Sequence, residues 1–126
     1  MPKLGVEAGQ LEPCPDKPNC VSSQAKDNDH FIDPIRVSAT QAEAKKRLLA
    51  VLEKTDNAEV VEVTESYVRA AFTSNLMRFV DDVEFYFPAE QSAEVLIHVR
   101  SASRLGHSDF GVNRDRVEMI REQLKN

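Results

Sequence analysis

The segment from His98 to Arg116 contains most of the side chains in this chain that could bind or transform a ligand. It holds four arginines, two histidines and three serines against two acidic residues, so it is locally cationic although the whole chain carries a formal net charge of −5. Guanidinium groups bind carboxylates and phosphates through paired hydrogen bonds. The segment therefore predicts an anion-binding site with these candidate ligand-binding residues: Arg100, Ser101, Ser103, Arg104, Asp109, Asn113 and Arg114.

Two interpretations of these arginines remain open. In the first, Asn113 caps the last helix, and the backbone amides at the start of that helix act with Arg114 to hold an anion. In the second, the arginines pair with carboxylates, namely Asp109, Asp115 and the acidic residues among 81–84. On the second interpretation the segment joins the last strand to the last helix through ion pairs and binds no ligand.

Three carboxylates precede the segment and are expected to support it: Asp81, Asp82 and Glu84. They lie on a strand that is predicted from apolar residues at alternate positions, which are Met77, Phe79, Val83, Phe85 and Phe87. Pairing Phe87 with Val95, through a turn around Gln91, aligns the apolar residues of this strand and the next. In that register the carboxylates meet these partners: Asp81 faces Ser101, Asp82 faces Arg100 and Glu84 faces His98.

Asp81 is the carboxylate with the most specific prediction. It points to the same side as the core residues, and a buried carboxylate needs a partner. We expect Arg104 to be that partner, unless a bulge at residues 81–82 turns Asp81 outward. Asp81 could then serve as a general acid or base with arginines as charge stabilisers. A hydrolase triad is not favoured, because His107 and Ser108 are sequence neighbours and triad side chains must converge.

The elements around the segment predict one α+β fold. Residues 35–37 form a strand, and Thr40 with Glu43 forms a capping box that starts a helix, whose apolar stripe is Ala44, Leu48, Val51 and Leu52. Residues 58–64 and 67–73 form a hairpin that sets Glu62 opposite Arg69. The last helix has its own stripe, made of Val117, Ile120 and Leu124. We expect an antiparallel sheet of four to five strands with two helices on one face, in the order strand, helix, strands, helix.

Length and composition limit the class of protein. A chain of 126 residues is predicted to form a single domain over residues 35–126, preceded by an arm over residues 1–34 without regular structure. No apolar run approaches the roughly 20 residues of a membrane-spanning helix, so a soluble domain is expected. The acidic balance, with an isoelectric point near 5.2, argues against nonspecific nucleic-acid binding.

Two features of the arm have more than one interpretation. Cys14 and Cys20 favour a disulfide over a reduced pair or a metal pair, since a zinc site needs four ligands. A disulfide would indicate export. Four residues crowd into one short loop, namely Asp27, Asp29, His30 and Asp33. We interpret this loop as solvated rather than metal-binding, because its spacing does not match a calcium loop.

Several motifs are shared with one family. They comprise Cys14-Pro15, the run from Pro18 to Ser23, the run from Asp81 to Phe85, and the segment from Arg100 through Gly106, Ser108-Asp109, Gly111 and Asn113-Arg114 to Arg116. On these motifs the chain resembles the bacterial and plastid family called domain of unknown function 1499. The resemblance implies no catalytic residue. Members often resemble exported or membrane-attached proteins, which supports the Cys14–Cys20 bridge.

The sequence therefore predicts a non-enzymatic binding domain of the cell envelope with an anion-binding segment at residues 98–116. The alternatives are a small enzyme that uses Asp81 and a purely structural or interaction domain. Neither a metal nor a cofactor is expected. Candidate partners are an anionic small molecule, a lipid headgroup or a protein. We expect the periplasm or envelope as location, with a signal or lipoprotein tether removed before Met1; the cytoplasm is the alternative, because residues 1–12 lack a signal-peptide core.

Overall fold

The computed structural model describes residues 3–74, 78–88, 93–106 and 108–125. Along the chain its elements are β1 (Val6–Glu7), β2 (Gln10–Leu11), β3 (Cys20–Ser22), β4 (Ile35–Val37), α1 (Gln41–Lys54), β5 (Ala58–Val63), β6 (Tyr67–Thr73), β7 (Val80–Tyr86), β8 (Val95–Ser103) and α2 (Val112–Leu124). The predicted α+β fold, with two helices and an antiparallel sheet, is confirmed.

Strand β8 pairs with three strands of the main sheet, β3, β4 and β7. The six strands follow the order β3-β8-β7-β6-β5, and β4 also pairs with β8. The first residues of β8 pair with β4 and its last residues pair with β3. The hairpin β1–β2 forms a separate two-stranded sheet. Residues 1–34 therefore contain short strands that the sequence does not predict, because strands of two or three residues carry no periodic pattern and depend on tertiary pairing.

Both helices pack on one face of the sheet. The capping box of α1 is confirmed: Thr40 Oγ1 accepts the amide of Glu43, and a Glu43 carboxylate oxygen accepts the amide of Thr40. The apolar stripes of α1 and α2 are buried against alternate residues of the central strands. Within the described residues, neither helix is long and apolar enough to cross a membrane.

Next to its turn, the hairpin β5–β6 has the register that the sequence predicts, and the pairing shifts by one residue between Val60 and Glu62. Glu62 pairs with Arg69 as expected, and the Arg69 Nε and Glu62 Oε1 atoms are 3.6 Å apart. The start of β7 differs from the prediction, since the strand begins at Val80 and Phe79 lies before it, 48% exposed. Met77, which belongs to the same predicted pattern, lies outside the described residues.

The predicted register between β7 and β8 is wrong by two residues. The observed pairs are Asp81 with Ser103, Asp82 with Ala102, Glu84 with Arg100 and Phe85 with Val99. A pattern that repeats every two residues is unchanged by a shift of two, so apolar matching alone could not separate the two alignments. The predicted turn around Gln91 lies outside the described residues. Asp81 and Asp82 each pair with one residue of β6 and one residue of β8, so no bulge turns Asp81 outward.

Candidate functional site

The predicted ligand-binding residues divide between the two faces of the sheet. Side chains alternate along a strand, so Ser101 and Ser103 of β8 face the helices. Arg100 belongs to the opposite face, and Arg104, just after β8, pairs with a carboxylate on that face. The set proposed from sequence therefore does not converge on one point, because β8 separates it into two clusters.

The first cluster surrounds Asn113, which is fully buried. Its amide oxygen accepts hydrogen bonds from Ser101 Oγ and Arg116 Nη1, at 2.5 and 2.8 Å. Its amide nitrogen donates to an Asp109 carboxylate oxygen at 2.7 Å and to Ser103 Oγ at 3.1 Å. We call Ser101, Ser103, Asp109 and Asn113 the polar hub. It joins the end of β8 to the start of α2.

The predicted role of Asn113 as a helix cap is wrong. The helix begins at Val112, and the N-cap residue is Gly111 in a left-handed conformation. Asp109 does the capping, because its carboxylate accepts the amides of Gly111 at 2.8 Å and Asn113 at 3.3 Å. Two amides at the start of α2 are therefore already bonded to a carboxylate of the chain.

Asp81 is paired with Arg116 rather than with the predicted Arg104. Arg116 Nη1 lies 2.8 Å from Asp81 Oδ2, and both side chains are 10% exposed. The guanidinium of Arg116 also lies over the Phe72 ring, 4.7 Å from its centroid, which is a cation–π arrangement. The sequence set omits Arg116, although its position one helical turn after Asn113 places both residues on the same face of α2.

Arg104 instead binds Asp82 through two hydrogen bonds. The Arg104 Nε and Nη2 atoms donate to the two carboxylate oxygens at 2.8 and 2.9 Å. This hydrogen bond raises the pKa of Arg104 above its ordinary value. The guanidinium is thus committed to a carboxylate of the same sheet face, as the structural interpretation of the arginines predicted.

The second cluster surrounds Glu84, which is fully buried on the sheet face away from the helices. Its carboxylate accepts the Tyr67 hydroxyl at 2.6 Å and the Gly5 amide at 2.7 Å. Arg100 Nη1 lies 3.4 Å from the other carboxylate oxygen. Burial and the hydrogen bond to Glu84 raise the pKa of Tyr67 well above its ordinary value. The sequence set omits Tyr67. Tyr67 precedes the core residue Val68 on β6, and because side chains alternate along a strand it belongs to the sheet face away from the core.

The connection between β8 and α2 displays apolar side chains to solvent. Leu105 is 73% exposed and Phe110 is 93% exposed. Phe110 has φ of 55°, a left-handed conformation that residues other than glycine seldom adopt. We call Leu105 and Phe110 the rim. Beside it lies a cleft of about 190 Å³, lined by Pro18, Cys20, Val21, Asp29, Ser108, Asp109, Gly111 and Arg114.

Arg114 lies in the wall of this cleft. Its guanidinium donates to the carbonyl oxygens of Phe31 at 2.8 Å and of Asp29 at 3.2 Å. Within the described part of the chain, no carboxylate lies within ion-pair distance of Arg114, which distinguishes it from Arg100, Arg104 and Arg116.

The disulfide between Cys14 and Cys20 is present, and the loop that it closes supports the polar hub. The carbonyl oxygen of Pro18 accepts the Asp109 amide at 3.0 Å, and that of Asn19 accepts the Ser103 amide at 3.0 Å. The Asn19 side chain donates to the carbonyl oxygen of Gly106 at 2.9 Å. The bridge therefore constrains a loop whose backbone holds both ends of the β8–α2 connection.

Removing this bridge should destabilise the domain. We expect the double variant Cys14→Ser with Cys20→Ser to lose about 2 kcal/mol of unfolding free energy, because a short loop regains freedom in the unfolded chain. Urea denaturation of the variant and the oxidised wild type measures the difference. Hydrogen exchange should also show faster exchange at the amides of Ser103 and Asp109. Unchanged exchange there would contradict the supporting role of the loop.

His30 connects the loop closed by the disulfide to the acidic loop of residues 27–33. Its Nε2 atom bonds the carbonyl oxygen of Lys17 at 2.8 Å, and its Nδ1 atom bonds a carboxylate oxygen of Asp27 at 2.6 Å. Both partners are acceptors, so both ring nitrogens must carry protons to donate, and the pKa of His30 is raised above its ordinary value of 6.5. Within the described residues, no cluster of His, Cys, Asp and Glu could hold a metal ion.

The His30 contacts predict a pH-dependent contribution to stability. A raised folded pKa contributes stability below 6.5, and this contribution is lost as pH rises through the folded value. Burial lowers the pKa of His98, so His98 acts in the opposite direction, with stability lost as pH falls below 6.5. We expect the difference in unfolding free energy between wild type and His30→Gln to shrink as pH rises. A constant difference would contradict the prediction.

The structure defines an α+β domain in which a disulfide-closed loop packs against the connection between β8 and α2. The family model described as a protein of unknown function (DUF1499) matches residues 10–124. The chain belongs to this family, as the sequence motifs indicated. No curated protein and no solved structure matches the chain.

Proposed function

We propose that this chain is a non-enzymatic binding domain of the cell envelope, and that it docks a protein partner on the rim. The observation that carries this proposal is Phe110, a large aromatic side chain that is 93% exposed at a backbone φ of 55°. Strained backbone persists where the surroundings impose it, and it is concentrated at functional positions. Exposed aromatic residues are also frequent anchors of protein interfaces.

The polar hub supports this assignment by its position behind the rim. Asp109, directly before Phe110, accepts the amide of Gly111 and the side-chain amide of Asn113. Its own amide is bonded to Pro18. The residues on both sides of Phe110 are thus held by hydrogen bonds, so the phenyl ring is presented from a fixed backbone. A fixed anchor loses less conformational entropy when it binds.

The anion-binding part of the proposal rests on Arg114. Arg100 and Arg104 are already paired with Glu84 and Asp82, whereas the Arg114 guanidinium contacts carbonyl oxygens. We propose that Arg114 pairs with an acidic side chain of the partner while Phe110 enters an apolar pocket. The small-enzyme alternative is not favoured, because Asp81 would have to leave a buried 2.8 Å ion pair with Arg116 before acting on a substrate.

An envelope location is supported by the Cys14–Cys20 bridge, because disulfides persist in oxidising compartments. Alkylation of the protein in intact cells, before any lysis, tests this part directly. Both cysteines should resist alkylation until a reductant is added. Complete alkylation without reductant would place the protein in a reducing compartment.

Site-specific photocrosslinking in the cells that make the protein tests the docking surface. A photoreactive phenylalanine at position 110 should give a discrete crosslinked protein, and the same residue at position 79 should not, although Phe79 is also exposed. Overproduced wild type should compete with the crosslink, whereas Phe110→Ser and Arg114→Gln should compete poorly. Absence of a crosslink specific to position 110, with normal folding of that variant, would favour the purely structural alternative.

A further inference from the structure

Residues 3–13, the first part of the N-terminal arm, lie over the sheet face that carries Glu84 and Arg100; we refer to these residues as the arm. We propose that this face is a binding surface for a peptide that bears a carboxylate, and that the arm occupies the surface in this structure. The proposal uses none of the residues of the rim or the polar hub, so it does not depend on the function proposed above.

The arm is recognised mainly through its backbone. Glu84 accepts the amide of Gly5 at 2.7 Å. Gln24 accepts the amide of Leu11 at 2.8 Å and donates to the carbonyl oxygen of Gly9 at 3.0 Å. These amide and carbonyl groups are present in any polypeptide, so side chains that bind them recognise the main chain of a segment rather than one sequence. The surface therefore has the polar groups that a peptide-binding groove requires.

The arm is docked on the domain and is not part of its main sheet. Its strands β1 and β2 have two residues each and pair with each other. Such a short hairpin is not stable alone, so its position depends on the side-chain contacts just described. Its one fully buried side chain is Leu11, which is 4% exposed and lies outside the main hydrophobic cluster. A competing segment needs to replace one apolar side chain and a few hydrogen bonds.

Arg100 indicates what the competing segment should carry. Its Nη2 atom makes a long 3.4 Å contact with the carbonyl oxygen of Pro13, and its buried Nε atom has no hydrogen-bond partner among the described residues. Arg104 uses the same two nitrogens to bind both oxygens of Asp82 at 2.8 and 2.9 Å. A single carbonyl oxygen leaves this edge of Arg100 unsatisfied, whereas a carboxylate has two acceptors in the geometry that the edge requires.

The surface should persist when the arm leaves. The Glu84 carboxylate keeps the Tyr67 hydroxyl at 2.6 Å and Arg100 Nη1 at 3.4 Å, and both partners belong to the main sheet. Arg100 is thereby held with its Nε and Nη2 atoms toward the position of Pro13. A peptide carboxylate at that position would replace the weaker carbonyl contact.

The test displaces the arm with a substitution in the arm itself. The Leu11→Asp variant should expel the arm without changing the groove, and faster exchange of the Gly5 amide verifies this. The probe is a labelled peptide with the sequence of residues 3–13, prepared with either a free C-terminal carboxylate or an amide. Fluorescence anisotropy should show that Leu11→Asp binds the free acid about tenfold or more tightly than the amide. Ala8→Asp, which adds the same charge at an exposed arm position, should bind both peptides more weakly.

Arg100→Lys in the Leu11→Asp background should remove the preference for the free acid, because lysine cannot form the paired hydrogen bonds. Should that variant unfold, the comparison of acid and amide peptides on Leu11→Asp alone decides the question. Three results would overturn the proposal: continued protection of the Gly5 amide in Leu11→Asp, no binding of either peptide, or equal affinity for the acid and the amide.

Discussion

Replacing Arg116 with methionine is expected to lower the free energy of unfolding by about 3–5 kcal/mol, because it leaves the buried Asp81 carboxylate without its ionic partner. Asp81 Oδ2 lies 2.8 Å from Arg116 Nη1. Methionine has an unbranched side chain but no charge, so the loss reports the missing ion pair and its hydrogen bonds together with the cation–π contact to Phe72. Urea denaturation at neutral pH measures the difference.

Two controls separate the buried ion pair from a general effect on α2. Lys125→Met removes an exposed partner of Glu122 near the end of the same helix and should change stability by less than about 0.5 kcal/mol. The double variant Asp81→Asn with Arg116→Met should recover a large part of the loss, because no uncompensated carboxylate then remains. A loss below about 1 kcal/mol in the single variant would contradict the importance of the pair.

The second large effect is expected for Asn113→Ala. This change removes every hydrogen bond that the Asn113 side chain makes in the polar hub, and it leaves the buried Ser101 hydroxyl without the acceptor for its proton. Each unsatisfied buried group costs about 1–3 kcal/mol, so we expect a total loss of about 3 kcal/mol. Differential scanning calorimetry and urea denaturation should both detect it.

Gln123→Ala is the matched control for Asn113→Ala on the same helix, since Gln123 is exposed and its replacement should stay within about 0.5 kcal/mol. Hydrogen exchange adds a local measurement. The amides of Ser103 and Asp109 should exchange faster in Asn113→Ala than in Gln123→Ala. Equal stability of Asn113→Ala and wild type would mean that solvent or neighbouring side chains satisfy the hub without Asn113.

Local signals in the sequence predicted the elements well. The capping box of α1 depends on residues three positions apart, and the apolar stripes of both helices depend on the helical repeat, so neither requires knowledge of the tertiary structure. The pairing of Glu62 with Arg69 was also predictable, because the turn between β5 and β6 is short and sets the register of the residues next to it. The disulfide was predicted from the two cysteines of the chain, and the family resemblance supported it.

The ion-pair partner of a carboxylate could not be predicted where the two residues are far apart in the sequence. Asp81 lies near Arg104 along the predicted ladder, yet it pairs with Arg116 across the interface between sheet and helix. A shift of two residues between β7 and β8 keeps apolar side chains on the same face of the sheet, and it changes which cation faces each carboxylate. The contact of Glu84 with Gly5 was not predictable either, because residues 3–13 pair with no strand of the main sheet.

The Cys14–Cys20 bridge has a mechanical consequence for the two proposed surfaces. A force on the arm reaches Cys14 and passes through the sulfur atoms to Cys20, which is anchored in the main sheet opposite Ala102. Residues 15–19 lie off this load path, and among them are Pro18 and Asn19, whose carbonyl groups hold the β8–α2 connection. The disulfide therefore carries the tension past residues 15–19, so the arm can be displaced while the position of Phe110 is unchanged.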